Sequence, residues 1–414
     1  MSKPQVATDA TPDAKRSHTP LMILFLTVFI DLLGFGIVIP FLPLYAERMH
    51  VGAAGIGLLL SIYSLMQLLM APVLGRISDY VGRRPIIMLG LLGSSVGYLL
   101  YGFAGSFAML LVSRAVHGAC AGTISTAQAY VADTTDQSSR ARGMGMIGAA
   151  FGLGFVLGPA IGGLLGHSSL RTPVFFAAAL TFANLIFAAM RLPESHEREA
   201  NTRLALKDLA APLLNLPAEL TQYRLERLFG LSFVTTSAIA GFEATFAMMV
   251  PRVYGYGPFG VGGLFAFAGL TQAITQGYLL GKIVKRTGEL PLIRTGLVLL
   301  ALGLAPLASL TSQALLLFCL ALLAIGYGLA SPSIASLISR RTAREKQGEV
   351  LGANQSAQSL ARIMGPLAAG SIYQWIGPQP VYFAAAVIAS LALMLAVSVT
   401  SGAYVLEVGR DDHA

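Results

Sequence analysis

The chain has 414 residues, of which 55% are apolar and only 12% charged, with a formal net charge of +8. A soluble domain carries roughly 25% charged residues, and the mean hydropathy here is +0.69, so the composition excludes an ordinary soluble protein and leaves one that lives in a lipid bilayer. The positive balance has no soluble basic domain to serve, so nucleic acid is not an expected partner.

A membrane span needs about 20 apolar residues. Twelve are predicted, near 20–45, 56–75, 86–104, 108–131, 143–166, 172–190, 228–250, 259–281, 291–309, 313–338, 349–374 and 379–402. The expected organisation is a disordered tail over 1–19, a six-helix bundle over 20–190 and a linker loop over 191–227. A second six-helix bundle follows over 228–402, then a tail over 403–414. No cleavable signal peptide is evident. The linker stretch Leu204 to Leu209 could lie on the membrane surface as an amphipathic helix. Odd-numbered loops carry only Arg48, Arg171 and Arg252, whereas the N-terminal tail and the even-numbered loops are rich in Lys and Arg. That asymmetry predicts cytoplasmic termini and cytoplasmic even-numbered loops. Cys120 and Cys319 fall inside predicted helices, so no disulfide is expected.

Between the second and third spans lies Gly75-Arg-Ile-Ser-Asp79-Tyr-Val-Gly82-Arg83-Arg84-Pro85. Here Gly75 is expected to end one helix and let backbones approach. Asp79 can cap a helix or meet a cation, Gly82 turns the chain, and Arg83 and Arg84 anchor it on the inner face. Pro85 is suited to a first helical turn. The same spacing returns as Gly281, Lys285, Gly288, Glu289 and Pro291, with the charges at the second and fourth positions reversed. Gly158-Pro159 with Gly163 likewise returns as Gly365-Pro366 with Gly370. The chain is one six-helix plan written twice in parallel.

These residues resemble the major facilitator superfamily. The Gly75 to Pro85 stretch is similar to the family's signature between helices 2 and 3, and Arg114 through Gly122 to its helix 4 motif. The run Gly148, Gly152, Gly154, Gly158-Pro159 and Gly162-Gly163 resembles the helix 5 motif of drug:proton antiporters, and Phe29 through Pro43 resembles helix 1 of the tetracycline-efflux branch. The resemblance implies an all-α membrane protein of twelve transmembrane helices in two pseudo-symmetric bundles. It implies that Gly75, Asp79, Gly82, Arg83 and Arg84 form an inner gate, with Asp79 meeting the other half in the outward-facing state. For Gly154, Gly158 and Pro159 the expectation is a helix bend and tight packing against the other half.

Charge inside hydrocarbon costs roughly 2.5–3.5 kcal/mol or more, so each buried charge needs an account. Asp31, Arg114, Glu243 and Arg362 lie well within predicted spans. Asp31 and Glu243, on equivalent helices of the two halves, are the candidate proton sites. Arg114 could hold Asp31 ionised and release it on protonation, and Arg362 is the candidate counter-ion of Glu243. Either pairing could instead be a fixed structural one. His117, at i+3 from Arg114, shares its face; it is a weaker candidate for proton handling and better suits a hydrogen-bonded packing role. Polar residues that could line a substrate cavity are Tyr63, Gln67, Gln128, Gln272, Gln276, Tyr327, Asn354 and Gln358, or each could make an interhelical hydrogen bond.

No phosphate-binding loop, metal-ligand spacing or nucleophile–base set is visible in the sequence, so ATP-driven pumping, a metal, a cofactor and enzymatic catalysis are not expected. The expected function is proton-coupled export of amphipathic small molecules or drugs through an inner-membrane, monomeric transporter. Uptake or facilitated diffusion of a metabolite on the same fold is the alternative. A membrane sensor or scaffold would need an output domain that the chain does not show.

Overall fold

A computed structural model describes residues 19–135, 139–195, 225–307, 309, 312–342 and 347–399, and among these all regular structure is helical. The expected tails and the linker stretch at Leu204 lie outside the described residues. The first half contains α1 (Thr19–Val38), α2 (Leu42–Glu47), α3 (Ala53–Val81), α4 (Arg83–Gly102), α5 (Phe107–Ala119), α6 (Thr123–Thr134), α7 (Arg140–Gly166) and α8 (Thr172–Arg191). The second contains α9 (Glu226–Tyr254), α10 (Pro258–Ile274), α11 (Leu280–Thr287), α12 (Glu289–Leu304), α13 (Gln313–Arg340), α14 (Gln347–Trp375) and α15 (Pro378–Ser398).

Three predicted spans are interrupted. The first is a single rod, Pro20–Glu47, with a 3-10 turn at Ile39–Phe41 where Pro40 withholds its N–H. The fourth breaks at Cys120–Gly122 between α5 and α6. The eighth contains a π-helical turn, Thr275–Leu279, between α10 and α11. Among the described residues, ten helices are long and apolar enough to cross a membrane. Two more, α12 with 16 residues and the more polar α14, bring the spans to the twelve expected.

The repeated turn is built the same way twice. Gly82 (φ 101°) joins α3 to α4, and Gly288 (φ 77°) joins α11 to α12. Both dihedrals are ones an L side chain rarely adopts, which is why the spacing keeps glycine at this place. Gly75, however, does not end a helix. The helix α3 runs on to Val81, and nothing lies within 4 Å of where a Gly75 Cβ would be. Nearly two further turns of helix before Gly82 cost little where no neighbour crowds Gly75.

Close backbone contact is concentrated in a few seams. Along one edge of α7, Gly154 and Gly158 meet α1 at Leu32 and Gly36, and Gly162 meets Ile37 and Phe41. From its other edge, Pro159 and Gly163 meet Gly262 of α10, in the other half. A third seam sets Gly57 and Ala53 of α3 against Pro366 and Gly370 of α14. The seams between halves are tight at one end and open at the other. The contact of α7 with α10 thins to 4.0 Å between Gly152 and Ala273, and Gly148, Gly145, Gly75 and Gly281 have no heavy atom within 4 Å of an added Cβ.

Candidate functional site

Break and glycines together create the polar centre of the first half. Gly90, Gly93 and Gly97 of α4 lie against Thr123, Cys120 and His117, so the interrupted fourth span packs deep into α4. On its opposite side Gly118 lies against the backbone of Tyr63 on α3. This places Arg114, only 2% exposed, with its guanidinium carbon 4.4 Å from the centre of the Tyr63 ring. Arg114 Nη1 is 3.3 Å from His117 Nδ1. Phe35, Tyr63 and Tyr98 ring the imidazole edge-on, with Tyr98 at 4.6 Å. Arg114 Nε and Nη2 and the Tyr98 and Tyr101 hydroxyls are buried without a hydrogen-bond partner among the described residues.

Asp31 and Arg114 do not form an ion pair with each other, and neither is among the pairs within 4.0 Å between described residues. Asp31 instead lies near Ser94 on α4, while a tyrosine face covers the guanidinium. Glu243 and Arg362 also fall outside ion-pair distance, although Arg362 is near enough to act on the carboxylate and reaches Ser359 Oγ at 3.5 Å. Tyr63 lies in the field of Asp31, Arg114 and Arg362 together, and Tyr327 in that of Glu243 and Arg362. Asp31, Tyr63, Glu243, Tyr327 and Arg362 are all half-buried rather than sealed. One carboxylate from each half and the Arg362 guanidinium are therefore partly open, with Tyr63 of the first half in the field of Arg362 of the second.

Gln67, Gln272 and Gln358 are half-buried, Asn354 is buried, and Gln128 and Gln276 are exposed. Gln276 stands on the π turn. The Asn354 Oδ1 atom has no partner among the described residues.

The Gly75 to Pro85 stretch sits at the open end. Asp79 bonds Arg83 of its own loop at 2.5 Å, and Arg83 Nε bonds Asp133, near the end of α6, at 2.9 Å. The backbone N–H groups of Arg83 and Arg84 donate to the Glu194 carboxylate at 2.8 and 3.2 Å, where an anion at a helix N-terminus is favoured. Arg84 donates to the Ala189 carbonyl. Sequence reasoning passed over Asp133 and Glu194, which it placed next to or within loops. Their available signal was a carboxylate at each of two span ends facing two adjacent arginines. In the second half Glu289 bonds Arg340, at the end of α13, at 2.7 Å and Ser336 at 3.2 Å. The loop-to-span ion pair is thus repeated with its polarity reversed.

At the closed end Glu47 bonds Arg252 at 2.8 Å across the two halves. The guanidinium of Arg252 also lies 5.5 Å from the centre of the Tyr373 ring. The Ala54 N–H donates to Gln374 Oε1 at 3.0 Å, and Ser61 Oγ donates to the Ile363 carbonyl at 2.6 Å. These are the inter-half bonds among the described residues, and all lie in the closed half of the molecule.

Twelve spans in two repeated halves, sealed at one end and carrying isolated charges between them, define a polytopic membrane transporter fold. The chain belongs to the Major Facilitator Superfamily, whose family model matches residues 24–366 and 296–405. It is 34% identical to a class C tetracycline resistance protein of Escherichia coli, over 86% of this chain and 90% of that one. It is 28% identical to multidrug resistance protein 1 of Bacillus subtilis, over 92% and 97%. Among solved structures it is similar to the human organic anion transporter MFSD10 (TETRAN), with a TM-score of 0.71 and 27% identity, covering 93% of this chain and all of that one. An inward-facing bacterial homologue of the human lysosomal transporter Spinster superposes with a TM-score of 0.74 at 16% identity, over 93% and 97% of the two chains, a likeness of fold alone.

Proposed function

We propose that the protein exports amphipathic small molecules, of the kind named in its tetracycline- and multidrug-resistance relatives, in exchange for protons. The observation that carries this reading is the pair of half-buried carboxylates, Asp31 and Glu243, one in each half and neither locked in an ion pair. A carboxylate free of a permanent cation can exchange a proton when the ground between the halves opens to water. Protonation and substrate binding then bias the same two-state equilibrium, and residues 20–190 and 228–402 act as the two rocking bundles.

The Lys and Arg asymmetry supports cytoplasmic termini in a cell (inner) membrane, which makes the open end the cytoplasmic one and this conformation inward-open. The gate assignment of Gly75, Asp79, Gly82, Arg83 and Arg84 is compatible with that state, because Asp79 is held within its own loop while the two halves stand apart there. Arg362 acts as a fixed positive charge beside Glu243 and Tyr63, and Arg114 as one beside Tyr63. Tyr63, Gln67, Gln128, Gln272, Gln276, Asn354 and Gln358 are the candidate substrate contacts. The protein is expected to work as a monomer in the bilayer.

The test is substrate-induced proton movement in proteoliposomes carrying an internal pH dye, with a panel of amphipathic drugs. Proton movement with a drug is expected in wild type and is expected to be lost in Asp31→Asn and Glu243→Gln. Drug flux with no proton movement in wild type overturns antiport and selects facilitated diffusion.

A further inference from the structure

Where α1 and α4 begin and α8 ends, at the same end as the Gly75 loop, the surface holds a cavity of about 470 Å³ whose lining includes Pro20, Ile23, Arg84, Met190 and Arg191. It joins two unlike surfaces. Its polar side is two arginines at the level where spans stop, since α4 starts at Arg83 and α8 stops at Arg191. Its apolar side runs on into the membrane. Met22 on α1 and Phe182, Ile186 and Met190 on α8 are all exposed, Met190 at 74%. The three α8 residues stand four apart, on one face of the helix over about 12 Å.

Neither arginine is fully used by the fold. Arg84 donates from Nη2 to the Ala189 carbonyl, and its Nε is buried with no partner among the described residues. Arg191 is exposed and takes part in no ion pair between described residues. The second half meets the same corner differently. Leu290, buried, holds the place of Arg84 in the repeated turn. Arg294 spends Nε and Nη2 on the carbonyls of Ala396, Val397 and Val399 at the end of α15, at 3.3 to 3.4 Å.

We infer that this cavity binds an anionic phospholipid of the adjoining leaflet, with Arg84 and Arg191 on its phosphate and an acyl chain along the exposed face of α8. Guanidinium groups suit a phosphate because their N–H groups pair with its oxygens, and a basic pocket between spans at this level suits an anionic headgroup. A free phosphate would leave the apolar side uncovered. A peptide segment laid there would bring N–H and C=O groups to side chains that offer them no partner. The site is independent of what the protein carries.

The test uses the purified full chain in a neutral detergent, stripped of lipid, with lipid binding read by native mass spectrometry. Phosphatidylglycerol is expected to bind wild type about tenfold more tightly than phosphatidylcholine with the same acyl chains. Arg84→Gln and Arg191→Gln are each expected to weaken phosphatidylglycerol binding about fivefold and to leave phosphatidylcholine within about twofold of wild type. Arg84→Gln loses the bond to Ala189, so Arg191→Gln carries the test where that variant fails to fold. Arg286→Gln removes an exposed cation at the same end of the second half and is expected to stay within about twofold of wild type. An equal loss in Arg286→Gln and Arg191→Gln means diffuse attraction to a basic face and overturns the site. Equal binding of the two lipids by wild type overturns it too, as it would if the chain's own linker filled the cavity. Glycerol phosphate carries the charge without acyl chains; if it displaces the lipid at equal concentration, the site is one for free phosphate and the lipid assignment falls.

Discussion

Arg114 shows how a charge can be kept inside a membrane without a carboxylate. Its guanidinium lies over the Tyr63 ring and beside His117 Nδ1; a desolvated cation–π contact contributes about 2 kcal/mol. Tyr63→Leu is therefore expected to lower stability by about 1–2 kcal/mol, read as a lower melting temperature in detergent, whereas Tyr63→Phe keeps the ring face and stays near wild type. Equal destabilisation by both variants would mean that the hydroxyl, not the ring, matters. The sequence showed Arg114 and His117 to be one face of a helix. It could not show that a tyrosine from another span would take the place expected of Asp31, because ring placement depends on the approach of α3 to Gly118, a contact between helices distant in sequence.

At the scale of the helix, glycine decides where spans touch. Gly36 and Gly158 bring α1 and α7 into backbone contact, and a Cβ on Gly158 would lie 2.6 Å from the Gly36 carbonyl carbon. Gly158→Ala is expected to destabilise by about 1–3 kcal/mol through overpacking, measured by thermal unfolding. Gly148, on the same helix, has nothing within 4 Å of an added Cβ in this conformation. Gly148→Ala is expected to leave the melting temperature near wild type yet slow drug flux, since the open end must close over it. Normal flux in that variant would show that α7 does not approach a partner there. Helix number and order were legible because hydropathy is a property of single segments. Two of the three interruptions were not, because the Cys120–Gly122 break and the π turn at Thr275–Leu279 answer to neighbouring helices rather than to local composition.

Across the whole molecule, the doubled plan was readable from the glycine and proline spacing, and both repeated glycines do carry the same positive-φ turn. What spacing could not reveal was the reason for the reversed charges. Arg83 faces Asp133, and in the second half Glu289 faces Arg340, so each loop is matched to its own span end. Arg340→Glu is expected to destabilise by up to about 1 kcal/mol, small because the Arg340 side chain is 70% exposed. Adding Glu289→Arg is expected to recover that loss, as measured by the melting temperature of the double variant against the single. No recovery would mean that the pair is incidental.

The reversal has a consequence for heredity and for engineering. A duplicated ancestor carries two identical locks and two identical keys; this chain carries two locks of opposite sign. Its halves can be copied whole, since each brings its own partner, but their loops have stopped being interchangeable parts. Grafting residues 75–85 over 281–291 would set Arg83 against Arg340, like against like, and the reciprocal graft would set Glu289 against Asp133. Exchanging whole halves keeps both ion pairs, whereas exchanging the short loops alone sets like charges together at each.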